Sequence, residues 1–319
     1  MIWVLGAGAF GTALALTYAR AGQTVTLWTH DPAHAEEMAR TRENARRLPG
    51  IPLPDGIHIT TRSPTPPAET PVLLAIPTQT LRPFLATHGT ALAARPVIAC
   101  CKGLDLETQT LPHETLAQAL PSARPALLTG PSFATDIAQG LPTALTLATQ
   151  SPDAEALQST LATPTLRLYR TTDMNGAALG GALKNVIAIA CGVAIGAGLG
   201  ESARAALMTR GFAEMQRIGQ ALGADPRTLQ GLSGLGDLAL TCATPKSRNF
   251  RFGTTLSEGT PFDSNTTVEG AATARAMRAL AQSRGLETPI TDATVAILDG
   301  DLQPGEAIAT LLARPLREE

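Results

Sequence analysis

Met1-Ile2-Trp3-Val4-Leu5-Gly6-Ala7-Gly8-Ala9-Phe10-Gly11-Thr12-Ala13-Leu14 reads as a short buried strand, a G-x-G-x-x-G turn and the start of a helix of small residues. Gly6 permits the tight turn, Gly8 lets the backbone approach a pyrophosphate, and Gly11 lets the helix pack close to the strand. The helix N-terminus then presents unpaired N–H groups and the positive end of its dipole to phosphates. The next apolar run, Thr24 to Trp28, arrives at βαβ spacing. That context favours a dinucleotide site over a glycine-rich turn with no ligand.

Outward from this turn, Ala9 to Ala21 has helical periodicity and stops at Gly22, a good residue just past a helix end. Asp31-Pro32 opens a second helix as N-cap and first helical residue, running to about Thr41. The prolines of Pro49 to Pro54 forbid regular structure, and Ile57 to Thr60 is a strand. From Val72 a βα rhythm returns, with strands at Val72 to Ile76, Val97 to Cys100, Ala126 to Leu128, Ala144 to Ala148 and Thr165 to Tyr169. Such alternation implies a parallel, doubly wound sheet whose ligand edge lies at the carboxyl ends of its strands. Gly6, Trp28-Thr29-His30, Pro77-Thr78, Lys102 and Gly130 to Ser132 fall at those ends and are expected to converge. Beyond about Asp173, glycine- and alanine-rich helical periodicity takes over. The fold class is therefore an α/β Rossmann-type doubly wound N-terminal domain, residues 1–174, followed by an all-α C-terminal domain, residues 175–319.

Composition narrows the classes. A length of 319 residues suits two domains, and a net charge of −2 gives no argument for nucleic acid or an anionic membrane surface. Cys100, Cys101, Cys191 and Cys242 lack metal-ligand or redox spacing, so no metal is expected and a reduced, cytoplasmic setting is the plain reading. The N-terminus has no basic leader ahead of its first strand. The apolar run Val186 to Leu199, bounded by Lys184 and Glu201, is about fourteen residues, short of the roughly eighteen that span a bilayer, and reads as a buried helix rather than an integral membrane segment. Gly192 to Gly200 suits either domain packing or a homodimer interface.

Three polar groupings in the second domain carry chemistry. In Gly180-Gly181-Ala182-Leu183-Lys184-Asn185-Val186, the glycines clear one helix face for a substrate or another backbone, and Lys184 must snorkel, pair or face a cavity. Asp237, in Gly234-Leu235-Gly236-Asp237-Leu238, is either the partner of Lys184 or the N-cap of the next helix. Lys246-Ser247-Arg248-Asn249-Phe250-Arg251 is the densest short cluster of phosphate-binding side chains; the plainer alternative is a solvated surface loop.

Taken together, these segments resemble a known family. Gly6 to Ala15, Asn44 with Leu48-Pro49, Lys102-Gly103-Leu104, Gly130-Pro131-Ser132-Phe133-Ala134, Leu179 to Val186, Gly234 to Leu238, Ser247-Arg248-Asn249 and Val268-Glu269-Gly270 match it in order, nearly end to end. The chain is similar to bacterial NAD(P)-dependent sn-glycerol-3-phosphate dehydrogenases. The resemblance implies reversible reduction of dihydroxyacetone phosphate, feeding glycerophospholipid synthesis in the cytoplasm. It implies Lys184 as the catalytic group at the C2 oxygen, with Lys102, Gly130, Ser132, Asp237, Ser247, Arg248 and Asn249 at the substrate. It further implies Ala9, Phe10, His30, Lys102, Ala134, Arg248, Thr267 and Glu269 at the cofactor, beside the glycines Gly6, Gly8 and Gly11. Phe10 stands where Trp or Tyr is frequent, and Thr267 where an aliphatic residue is frequent. Neither removes a reacting group.

The NAD fingerprint places an acid at the end of the second strand, about twenty residues past the glycines. Here that place reads Trp28-Thr29-His30-Asp31. No acid ends the strand, His30 suits a 2′-phosphate and Asp31 suits a helix cap, so NADP(H) is favoured with NAD(H) use kept open. Two rival readings keep the fold: a hydroxyacid or ketopantoate reductase, against which the Ser247-Arg248-Asn249 cluster argues, and a dinucleotide sensor without turnover, against which Lys184 and Asp237 argue.

Overall fold

The computed structural model describes residues 1–263 and 266–307. β1 (Ile2–Leu5) passes through the glycine turn into α1 (Ala9–Arg20), followed by β2 (Val25–Trp28), α2 (Pro32–Thr41), β3 (Ile57–Thr60) and β4 (Val72–Leu74). Next come α3 (Thr78–His88), β5 (Pro96–Ala99), α4 (Pro112–Ala119), β6 (Arg124–Thr129), α5 (Ala134–Ala138), β7 (Thr143–Thr149), α6 (Ala154–Leu161) and β8 (Leu166–Thr171). The strands form one sheet in the order β3-β2-β1-β4-β5-β6-β7-β8. Short apolar runs such as Ile2 to Leu5 and Val72 to Leu74 suit strands covered on both faces. Ile2, Val4, Leu14, Val25, Leu27, Ile98, Leu128 and Leu147 meet in the core between sheet and helices.

β1 to β6 are mutually parallel, as the βα rhythm predicts. The last pair departs from that expectation: β7 is antiparallel to β6, and β8 is parallel to β7. The connection explains the reversal. Between β6 and β7 the only helix is α5, whose five residues span about 7.5 Å at the α-helical rise, far short of carrying the chain back along a six-residue strand. β7 therefore starts from the edge at which β6 ends.

By internal contacts the chain divides into two compact units. One comprises Met1–Lys102 with Thr110–Ala178, the other Gly103–Gln109 with the chain from Leu179 onward. The division lies in the first turns of α7 (Met174–Gly196), slightly past the boundary expected at residue 174. After α7 come α8 (Gly200–Ala221), α9 (Pro226–Gln230), a π-helical turn at Leu232–Gly236, α10 (Asp237–Thr241), α11 (Arg248–Glu258), α12 (Glu269–Ser283) and α13 (Pro289–Asp299). Among the described residues this unit is helical.

Two sequence expectations meet their outcome here, the first of them a buried helix as expected, though not because the run is short. α7 has 23 residues and is long and apolar enough to cross a membrane, so length does not exclude a span; burial of 89% of its most apolar window makes it a core helix. The small residues near its C-terminus serve packing within the unit. A Cβ on Gly192 would lie 2.0 Å from the Phe250 carbonyl oxygen, and one on Gly253 would lie 2.1 Å from that of Ile189, so the backbones of α7 and α11 touch. Gly198 and Gly200 instead supply the positive φ angles, +74° and +82°, of the turn into α8.

Candidate active site

In the first unit the predicted residues gather along the carboxyl edge of β1 to β6. A Cβ on Gly6 (φ +117°) would sit 2.4 Å from the Ala75 carbonyl oxygen, and one on Gly11 would sit 2.0 Å from that of Gly6. Both glycines are thus required by the fold itself. Gly8 differs: among the described residues nothing lies within 4 Å of its missing Cβ, and as N-cap of α1 it leaves the helix without a side-chain cap. Open space before uncapped helical N–H groups is what a pyrophosphate needs, so this edge fits a dinucleotide. Ala9 and Phe10 are the first residues of α1, and Ala134 is the first of α5.

Farther along the same edge, Lys102 Nζ donates to the Gly130 carbonyl oxygen at 3.1 Å, and Ser132 Oγ donates to the same oxygen at 3.0 Å. Gly130 has φ +135°, a backbone conformation that favours glycine. Lys102, Gly130 and Ser132 are thereby brought together from the ends of β5 and β6. His30 is exposed just beyond β2. Asp31 caps α2 as expected, its Oδ1 accepting from Ala33 N–H at 3.0 Å and His34 N–H at 3.2 Å.

The second unit assembles the ionic centre. Lys184, on the apolar helix α7, donates through Nζ to Asp237 Oδ1 at 2.8 Å and to Thr241 Oγ1 at 2.8 Å. Thr241 Oγ1 also lies 3.4 Å from Asp237 Oδ1. The side chains of Lys184 and Asp237 are only 10% and 1% exposed. A lone charge there would carry a desolvation cost of several kcal/mol, so each residue requires the other. Asp237 is reached through the π-helical turn, in which Gly236 N–H donates to the Gly231 carbonyl at 3.0 Å. It is the first residue of α10, not its N-cap, and its carboxylate accepts from the lysine.

The face cleared by glycines on α7 holds backbone. A Cβ on Gly180 would meet the Ser233 carbonyl oxygen at 2.5 Å, so the glycine admits the π turn that carries Asp237. Thr241 was not singled out from the sequence, although its place four residues after Asp237 puts both on one helical face. Next to it, burial pushes the Cys242 thiol well up and Cys191 adds to the effect, leaving a protonated thiol rather than a nucleophile.

The polar cluster at 246–251 is not a solvated loop throughout. Ser247 is the buried N-cap of α11, its Oγ accepting from Phe250 N–H at 3.3 Å, and Arg248 is the exposed first helical residue. Asn249 is buried; its Nδ2 donates to Asn185 Oδ1 at 2.9 Å and its Oδ1 accepts from Gly270 N–H at 3.0 Å. Asn249 is therefore a strut joining α7, α11 and α12, a structural task the sequence reading did not assign to it. Glu269 opens α12, and Thr267 is exposed just before it.

A helix terminus open to pyrophosphate in one unit and an ammonium group buried on a carboxylate in the other place this chain among the NAD(P)-dependent oxidoreductases. Comparison with known proteins gives the family. Residues 1–155 match the family described as NAD-dependent glycerol-3-phosphate dehydrogenase N-terminus, and residues 173–309 the corresponding C-terminus. The chain is 57% identical over 317 residues to a glycerol-3-phosphate dehydrogenase [NAD(P)+] of Ruegeria sp. (strain TM1040), covering 99% of each chain. It is 56% identical to that of Paracoccus denitrificans, again over 99% of each. The crystal structure of glycerol-3-phosphate dehydrogenase from Coxiella burnetii superimposes with a TM-score of 0.92 at 37% identity, covering 98% of both chains. The chain belongs to the NAD-dependent glycerol-3-phosphate dehydrogenase family.

Proposed function

We propose that this chain reduces dihydroxyacetone phosphate to sn-glycerol 3-phosphate, with Lys184 as the group that meets the C2 oxygen. The observation that carries this is the buried Lys184 ammonium, oriented by Asp237 and Thr241. When bound, the reduced nicotinamide supplies the hydride. As the carbonyl oxygen gains negative charge, the ammonium of Lys184 stabilises it and hands over a proton. Asp237 keeps that ammonium aimed, and because the pair is already assembled, no reorganisation is needed as charge develops.

Arg248, exposed at the N-terminus of α11, is the group we assign to the substrate phosphate, with Ser247 and Asn249 setting its place. Lys102 and Ser132, joined on the Gly130 carbonyl, are further substrate positions carried over from the resemblance, and Arg248, Thr267 and Glu269 further cofactor positions. Residues up to the head of α7 act as the dinucleotide-binding domain and those after it as the substrate-binding domain. NADP(H) is the favoured cofactor, since no acid stands free at the end of β2. A cytoplasmic enzyme feeding glycerophospholipid synthesis completes the reading. The homodimer reading loses one support, because Gly192 and Gly196 are used in packing α7 on α11; light scattering measures the state directly.

The test is steady-state kinetics with dihydroxyacetone phosphate and unphosphorylated dihydroxyacetone. Lys184→Ala is expected to lower kcat by about a thousandfold or more while NADPH binding survives. Arg248→Ala is expected chiefly to raise KM for the phosphorylated ketone. Near-normal turnover of the first variant, or equal use of both ketones by the wild type, overturns the assignment.

A further inference from the structure

Arg46 lies in none of the segments assigned to substrate or cofactor above, yet the chain holds it at the carboxyl end of β2 with unusual care. Its Nη1 lies 3.2 Å from Asp31 Oδ2, and its Nε lies 2.6 Å from Glu37 Oε2. The guanidinium remains 45% exposed, so a pair this close to water is held more by geometry than by energy.

The turn that carries Arg46 is anchored from beneath. Arg47 N–H and Leu48 N–H both donate to the Asn44 carbonyl, at 3.2 and 2.8 Å. The Asn44 side chain is fully buried. Its Nδ2 donates to the Ala7 carbonyl at 3.0 Å and to Thr12 Oγ1 at 2.7 Å, and its Oδ1 accepts from His34 Nε2 at 2.8 Å. Ala7 is inside the glycine turn, Thr12 is on α1 and His34 is on α2. One buried amide therefore locks the arginine turn to the pyrophosphate turn and to the helix after β2. In a Rossmann fold the adenosine ribose lies between these two elements.

Asp31 completes the argument. A Rossmann acid that selects NAD must be free to accept from the ribose hydroxyls. Asp31 is not free, because its Oδ1 is taken by the backbone of α2 and its Oδ2 by Arg46. The His34 N–H first, then the Ala33 N–H and Arg46, hold its carboxyl below the usual range.

We infer that Arg46 determines cofactor choice: together with exposed His30 it takes the 2′-phosphate of NADPH, and by occupying Asp31 it denies NADH the carboxylate that would hold its ribose. A dianionic phosphate offers the guanidinium two parallel charge-assisted bonds, whereas a ribose hydroxyl offers nothing comparable. This rests on the reading that NADP(H) is the favoured cofactor.

Isothermal titration of the full chain with NADPH and with NADH tests it without reference to turnover. In Arg46→Ala, NADPH affinity is expected to fall roughly tenfold to hundredfold, the worth of a hydrogen-bonded charge pair. NADH affinity is expected to hold or improve as Asp31 is released. Arg46→Lys keeps the charge but not the fork and is expected to recover only part of the NADPH affinity. Should the wild type bind both cofactors equally, the NADP(H) reading fails and this inference with it. Should the wild type prefer NADPH while Arg46→Ala keeps the same ratio of affinities, the NADP(H) reading survives and the role of Arg46 is overturned. Circular dichroism confirms that the variant is folded.

Discussion

At the scale of the residue, the decisive event is the meeting of Lys184 with Asp237. Neither is tolerable alone at its depth, so the pair serves stability as well as the reactivity proposed for it. The two roles are separable. Lys184→Met leaves Asp237 buried without its cation and is expected to cost about 3–5 kcal/mol in urea denaturation. Adding Asp237→Leu removes the orphaned charge and is expected to recover most of that stability while turnover stays abolished. A double variant as unstable as the single one would show that the loss is not that of an orphaned charge and that the native pair more than offsets its own desolvation. Part of this was legible in advance. A lysine and an aspartate in apolar surroundings each demand a partner, whereas Thr241 was hidden because its importance arises only once α10 has formed behind the π turn.

At the scale of the element, glycine decides which helices touch. α7 and α11 meet backbone to backbone at Gly192 and Gly253, so α7 packs without the usual layer of side chains. Gly192→Ala places a methyl group against the Phe250 carbonyl and is expected to destabilise by about 1–3 kcal/mol, seen as a lowered Tm with the secondary structure retained. The helix caps show what local reading can and cannot find. Asp31-Pro32 announces α2 because cap and helix are neighbours in the chain. Ser247 announces α11 by the same rule, but the charged run after it reads equally well as a loop. The cap of α13 is illegible, for Glu214 comes from α8 and accepts from Ile290 N–H, Thr291 N–H and the Thr291 hydroxyl.

At the scale of the whole molecule, pH acts through buried groups that ordinary composition conceals. His113, in the first turn of α4, donates from Nε2 to Asn175 Oδ1 at 3.0 Å, while its buried Nδ1 has no hydrogen-bond partner among the described residues. Burial lowers its pKa, because protonation would put an unsatisfied N–H and a charge inside the fold. A histidine depressed in the folded state contributes stability above its ordinary value near 6.5 that is lost as the pH falls through the depressed value. His113→Asn is therefore expected to flatten the loss of stability between about pH 7 and pH 5 in denaturant titrations; an unchanged slope would sink this account. The sequence by itself determined the glycine turn, the run of parallel strands up to β6, the helical second unit and the residue types at the site. Each of these follows from neighbouring residues, through φ angles, periodicity and caps. Only the tertiary structure decided the reversal of β7, the use of the α7 glycines for helix packing, the conversion of Asn249 into a strut, and the locking of the Arg46 turn by Asn44. These depend on which backbone arrives opposite which side chain, and that is settled by burying apolar surface and satisfying buried polar groups across long stretches of chain.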